Sequence, residues 1–355
     1  MRADRMPRLL AAFAAGLAAL AASGCSTVGY YSQAIDGQAE ILRKARPIAK
    51  VMADERVPAR VKRKLTVVED ARHFAGTQLE LPANHQYTRY TDLGRRYVSW
   101  VLFAAPQFSV EGKTWWYPFV GRLEYRGYFS KAAAHAEADR LKAQELEVYA
   151  GGVEAYSTLG VFHDPVLNTF FQRTDAELAE VIFHELTHVK LFLPGDSDFN
   201  EAFATANAEM AVRRWLAAKG DRAELARYET SLANDREVVA LLLATREKLR
   251  RLYARHDLSP AQMRARKAAL LAELHTGYLG IRSQHPGFSL YDRAFTKPWN
   301  NARLNTVSTY YDLVPGFERL MAEEHGNLHA FYADVEQMRH LSKKERRARL
   351  RGCNR

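Results

Sequence analysis

The tightest constraint on this chain is the pentapeptide His184-Glu185-Leu186-Thr187-His188, set in the run AELAEVIFHELTHVKLFL. On an α-helix, residues four apart lie one turn apart on one face, so both imidazoles can aim at one point with Glu185 beside them. Apolar residues at Leu178, Val181, Ile182, Phe183, Leu186, Val189 and Leu191 wrap most of that helix, which predicts its burial. Buried His and Glu need partners, and a metal ion supplies them all at once. Two His leave room for one further protein ligand and a water, the open sphere of a catalytic zinc. The expected cofactor is therefore Zn2+, with His184 and His188 as ligands and Glu185 as general base toward a zinc-activated water. The competing reading is an amphipathic helix whose two His pack against neighbours.

Four acids follow closely enough to supply the third ligand: Asp196, Asp198, Glu201 and Glu209. After Pro194-Gly195-Asp196-Ser197, the run FNEAFATA predicts a second helix, capped by Asp198 or Asn200. A carboxylate in the first turn of a helix packed antiparallel to the first can return to the metal. Glu201 sits at that turn, while Asp196 and Asp198 suit the turn and the cap.

HELTH followed by FNEAFAT, preceded by GYFSKAAA and AYSTLGVFHDPVL, resembles the Putative aminopeptidase family of bacterial zincin-like proteins over roughly residues 25 to 340. The resemblance implies a zincin-like metallopeptidase core, with the family's metal motif on His184, Glu185 and His188 and its Asn-Glu element on Asn200-Glu201. That element also resembles the one in gluzincin metallopeptidases, where Glu is the third zinc ligand. The chain departs from the better known gluzincins in having only 12 residues between His188 and Glu201.

Arg2, Arg5 and Arg8 precede an apolar stretch that ends in Ser23-Gly24-Cys25. A basic start, a short apolar run and small residues before a Cys read as a secretory signal over residues 1–24. Ser-Gly-Cys resembles a bacterial lipobox, so Cys25 is expected to carry lipid and to anchor the protein to a membrane. Ser26 resembles an outer-membrane address, on the periplasmic side. The other reading is an ordinary signal cut near Ala22. Cys25 and Cys353 are the two cysteines, so an acylated Cys25 leaves no pair for an intramolecular disulfide.

The net charge of +10 sits mostly at the ends. Residues 339–355 hold eight Lys or Arg against one Glu and the signal three Arg against one Asp, which leaves +1 for the rest. The basic tail over residues 341–355 is expected to be a solvated, frayed end, and export argues against a nucleic-acid partner.

Helical periodicity covers Tyr30 to Arg56 and Val61 to Leu79 as a hairpin packed on the core. Aromatic and β-branched residues between Gly94 and Phe129 predict short strands, with Trp115 and Trp116 either in the core or on a cleft. Lys131 to Leu146 reads as a helix, followed by a strand from Val148 to Gly160. On that strand Glu154, Tyr156 and Thr158 share a face. If it turns to the cleft, Tyr156 and Thr158 contact the peptide and Glu154 holds its α-amine; otherwise they pack inside. Residues 221–286 read as helical scaffold over the site. An oxyanion donor is needed from beyond the ligands, and Tyr310 or Tyr311 is the candidate, with Tyr311 chosen.

The expectation is one domain over residues 25–340, of α+β class and mainly helical, with a small sheet. It is expected to hydrolyse peptide substrates, and the resemblance implies an aminopeptidase. An endopeptidase, a cell-wall amidase on the same metal, or a non-catalytic envelope scaffold are the alternatives.

Overall fold

The computed structural model describes residues 29–117, 121–155, 157–158 and 162–352. Cys25, Tyr156 and Cys353 lie outside them.

The chain opens with helix α1 over residues 29–44, strand β1 (Arg46–Pro47), α2 (Ile48–Ala53) and α3 (Ala59–Gln78). A strand-rich stretch follows: β2 (Arg89–Thr91), β3 (Ser99–Pro106), β4 (Trp115–Tyr117), β5 (Gly121–Leu123) and β6 (Tyr125–Tyr128). Helix α4 (Lys131–Lys142) leads into β7 (Leu146–Val153) and β8 (Val166–Leu167). The rest is helical: α5 (Asp175–Lys190), α6 (Ser197–Ala218), α7 (Arg222–Tyr253), α8 (Pro260–Gln284), α9 (Asp292–Phe295), α10 (Asn301–Tyr311), α11 (Val314–Glu323), α12 (Leu328–Gln337) and α13 (Lys343–Arg351). The protein is mainly helical with small sheets, as its sequence predicts.

Helices α5 and α6 lie at the centre of the largest core. Phe183, Leu186, Phe199 and Phe203 are fully buried there, with Leu65 and Val68 of α3 and Phe317 and Phe331 of α11 and α12. Helix α5 starts at a capping box. Thr174 accepts from the Glu177 amide while the Glu177 carboxylate accepts from the Thr174 amide, so two amides that no helical carbonyl reaches are satisfied. Helix α8 opens in the same way at Ser259 and Gln262, with Pro260 in its first turn. Helices α7, α8 and α10 form a second core around Val238, Leu242, Leu249, Leu274 and Leu304.

The sheet that matters to the site has the order β6-β3-β7, all antiparallel. Its central strand alternates: Leu102 and Ala104 pack with Leu141 and Ala138 of α4, while Ser99, Val101 and Phe103 turn to the other side. Trp115 is buried on the α4 side and Trp116 is exposed.

Two expectations need correction. The strand after α4 ends at Val153, so Glu154 and Thr158 do not share a strand face. Asp164 takes over the following loop, accepting from the Thr158 amide at 2.8 Å and the Thr158 hydroxyl at 2.8 Å. Over its described residues the basic tail is not frayed. Residues Lys343–Arg351 form α13, capped by Ser342 with Glu345, and Leu350 is buried in the main core.

Candidate metal centre

His184 and His188 stand one turn apart on α5, and both present Nε2 to the same point, 3.1 Å from each other. Helix α6 brings Glu201 opposite them, with its Oε2 at 3.3 Å from His184 Nε2 and 3.4 Å from His188 Nε2. These three atoms form a nearly equilateral triangle. Ligand atoms held about 2.0–2.1 Å from a tetrahedral ion lie about 3.3–3.4 Å apart, so the triangle has the dimensions of one face of such a sphere. The donor set of two imidazoles and a carboxylate suits a divalent ion, and it is the metal-competent cluster found among the described residues.

The loop between the helices is short and fixed by side chains. Asn200 accepts from the Leu193 amide at 2.8 Å and donates to the Leu193 carbonyl at 2.8 Å, which holds the loop in both directions. This is not the capping role expected of Asn200; Asp196 occupies the N-cap position without a side-chain cap bond. The clamp sets the start of α6, and Glu201 follows it by one residue. Deeper in the pair, Asn207 donates to the Thr187 hydroxyl at 2.7 Å, and Tyr332 donates to Asn207 at 3.2 Å. Thus the facing sides of α5 and α6 are tied by buried hydrogen bonds as well as by packing.

The other three acids have partners elsewhere. Asp196 pairs with Arg346 at 2.7 Å and Asp198 with Arg347, both from α13. Glu209 pairs with Arg236 at 2.7 Å.

Charges in the triad reinforce one another. Burial raises the Glu201 pKa, but the His188 and His184 rings outweigh it and hold the carboxyl well below its usual range. Burial lowers the His188 pKa, and here Glu201 with Glu185 outweighs it, so the ring is raised. With the rings neutral, two imidazole lone pairs and one carboxylate gathered around one point could hold a cation. Burial also raises Glu185, against the opposing pull of both rings.

The triad opens into a cavity of about 530 Å³, lined by Glu185, Phe192, the β6-β3-β7 sheet and α10. Tyr310 lines it, with its ring stacked at 6.2 Å from His184 and close to Glu201. Tyr311 faces away. Consecutive residues of a helix point about 100° apart, and its ring lies in a buried group with Asp235 and Tyr291, where Tyr291 donates to Asp235 at 2.7 Å. The position beside the triad therefore belongs to Tyr310 and not to Tyr311. Thr158 does not line the cavity, whereas its neighbour Ser157 does. Glu154 is paired with Arg173 at 3.2 Å and is not a lining residue either. Tyr125 lines the cavity close to Glu201 and Glu185, a place that sequence reasoning misses. Its signal is the Tyr125-x-Gly127 alternation on a strand, which gains meaning only once that strand's partner is known.

The chain matches the family described as Putative aminopeptidase over residues 29–350. No curated protein and no solved structure matches it.

Proposed function

Because the chain belongs to the Putative aminopeptidase family, we propose that it is a zinc-dependent peptidase that cleaves with water at the His184, His188 and Glu201 centre. The observation that carries this reading is the triangle of three ligand atoms with Glu185 beside it, open to a cavity large enough for a residue of a peptide. A zinc ion in that triangle would acidify water and polarise a carbonyl.

The chain's own groups then have separable tasks. His184 and His188 donate lone pairs through Nε2, and Glu201 contributes the negative charge. Glu185 accepts a proton from water and returns it to the departing amine nitrogen. A carboxylate whose pKa is raised by burial is a stronger base than one in solvent, which suits that task. A phenol is protonated at neutral pH, so the Tyr310 hydroxyl can donate to the substrate's carbonyl oxygen.

The family description favours action at a free N-terminus. One observation favours an endopeptidase instead: the carboxylates among the described lining residues are Glu185 and Glu201, and Glu154 is committed to Arg173. No further acid is there to hold an α-ammonium group. We also propose the zincin-like core, and a lipid anchor at Cys25 that holds the protein on the periplasmic side of the outer membrane; the signal sequence supports the latter.

Metal analysis of the purified protein, run beside matched peptides with free and acetylated N-termini, tests these readings together. Stoichiometric zinc with cleavage restricted to free N-termini supports the aminopeptidase. Equal cleavage of acetylated peptides moves the reading to the endopeptidase, and absence of bound zinc removes both.

A further inference from the structure

The sheet that walls the cavity carries a hollow beside its aromatic rings. Register places Tyr125, Phe103 and Tyr149 side by side across β6, β3 and β7. Two residues along, the next row on the same face is Gly127, Val101 and Gly151. The first row is three rings and the second is nearly bare backbone. A Cβ placed on Gly127 would meet nothing among the described residues within 4 Å, although Gly127 lines the cavity. At Gly151 the same direction is filled by the Tyr149 hydroxyl at 2.6 Å. The open volume therefore lies over Val101 and Gly127, on the β6 side.

The chemistry of the walls decides what can enter. The imidazoles and carboxylates among the described lining residues are His184, His188, Glu185 and Glu201, and all four belong to the proposed centre. A Lys, Arg, Asp or Glu side chain in the hollow would lose its water without gaining a counter-charge. An apolar side chain would exchange water for ring faces.

We infer that the peptide residue next to the scissile bond is a bulky apolar one, seated over Val101 and Gly127 with the aromatic row beside it. This rests on the peptidase reading above. In a hydrophobic specificity site each methylene is worth about tenfold or more in kcat/KM. Substrates with Phe or Leu at that position should thus exceed those with Ala by at least roughly 100-fold, and those with Lys or Glu by more.

The test uses the zinc-loaded protein and a peptide series varied only at the residues flanking the cleaved bond. Gly127→Leu fills the hollow from its floor, and the Phe-over-Ala ratio should then fall from roughly 100-fold to below about threefold. A wild-type preference for charged or small residues overturns the inference while leaving the peptidase reading intact, as does a Gly127→Leu variant with an unchanged ratio. If no peptide is hydrolysed, the peptidase reading fails, and calorimetric titration of the metal-free protein decides the hollow alone. Tighter binding of N-acetylphenylalaninamide than of N-acetyllysinamide or N-acetylalaninamide supports it, and equal binding overturns it. That titration also covers the case in which Gly127→Leu does not fold.

Discussion

Arg346 donates to the carboxylate of Asp196 at 2.8 Å and so ties the C-terminal helix α13 to the N-terminal end of the helix that carries Glu201. Asp196 is almost wholly buried, and Arg347 repeats the contact at Asp198. Removing one member of a buried pair strands the other charge, at a cost of about 3–5 kcal/mol. Lys343 remains 3.5 Å from Asp196 and softens the loss. Arg346→Ala is therefore expected to lose about 3 kcal/mol in urea unfolding and to bind zinc more weakly. An unchanged unfolding midpoint would show that α13 does not brace the ligand loop.

Glu185→Gln should keep the metal and lose the base. Zinc content after dialysis is expected to equal that of the wild type, while kcat falls by about 10²–10⁴-fold. Activity within tenfold of wild type would rule out Glu185 as the proton carrier.

Glu201→Ala removes a proposed ligand, and Glu209→Ala two turns further along α6 does not. The first variant should lose more than the roughly 10–100-fold in zinc affinity that accompanies loss of a residue merely orienting a ligand. The second should retain zinc, since Glu209 is engaged by Arg236. Competition against a chelator separates the two, and the reverse ranking would move the third ligand.

Tyr310→Phe and Tyr311→Phe should fail differently. Loss of the Tyr310 hydroxyl is expected to lower kcat by roughly 10²-fold with little change in KM. Tyr311→Phe removes a buried hydroxyl beside Asp235, so it should cost about 1–3 kcal/mol of stability and spare kcat. Steady-state kinetics paired with thermal melts check both.

Glu180 supplies a pH signature. Burial, with Glu209 adding to it, pushes its carboxyl up to about 7, although Tyr228 donates to it at 2.9 Å. Between the ordinary value of 4.5 and about 7 the folded chain holds a proton that the unfolded chain has released. Stability from this group is therefore complete below pH 4.5, falls as pH rises to about 7, and is level above. Glu180 keeps some exposure, so the fall is at most about 3 kcal/mol. In Glu180→Gln this slope disappears: the variant's melting temperature relative to wild type should rise from pH 5 to pH 8 with metal chelated. A constant difference would contradict the shift.

Much of this fold is written in local signals. The capping box at Thr174, the apolar wrap of α5 and the four-residue spacing of the two His all act within a few turns, so they are legible in the amino-acid sequence alone. Glu201 is legible too, because a short loop limits where the next helix can begin. What is not legible depends on distant partners. The run of Arg and Lys after Ser342 reads as a solvated end until Asp196 and Asp198 are brought to it from about 150 residues away. Tyr310 and Tyr311 are equivalent by sequence, and only the face of α10 turned to α5 distinguishes them. Likewise nothing local ends β7 at Val153; Asp164, from beyond the loop, draws Thr158 away from the sheet.

The docking of α13 on Asp196 and Asp198 has a consequence for biosynthesis. Both imidazoles and Glu201 leave the ribosome, and cross the membrane if the leader works as expected, well before Arg346 and Arg347 do. Until those arginines arrive, Asp196 and Asp198 lack the α13 contacts that brace the start of α6, and the loop that sets Glu201 opposite the two rings is unsupported. A nascent chain stalled anywhere short of α13 should accordingly be a poor metal acceptor, and competence to cleave would come with the closing residues of the described chain, when its own partly made product is no longer at risk.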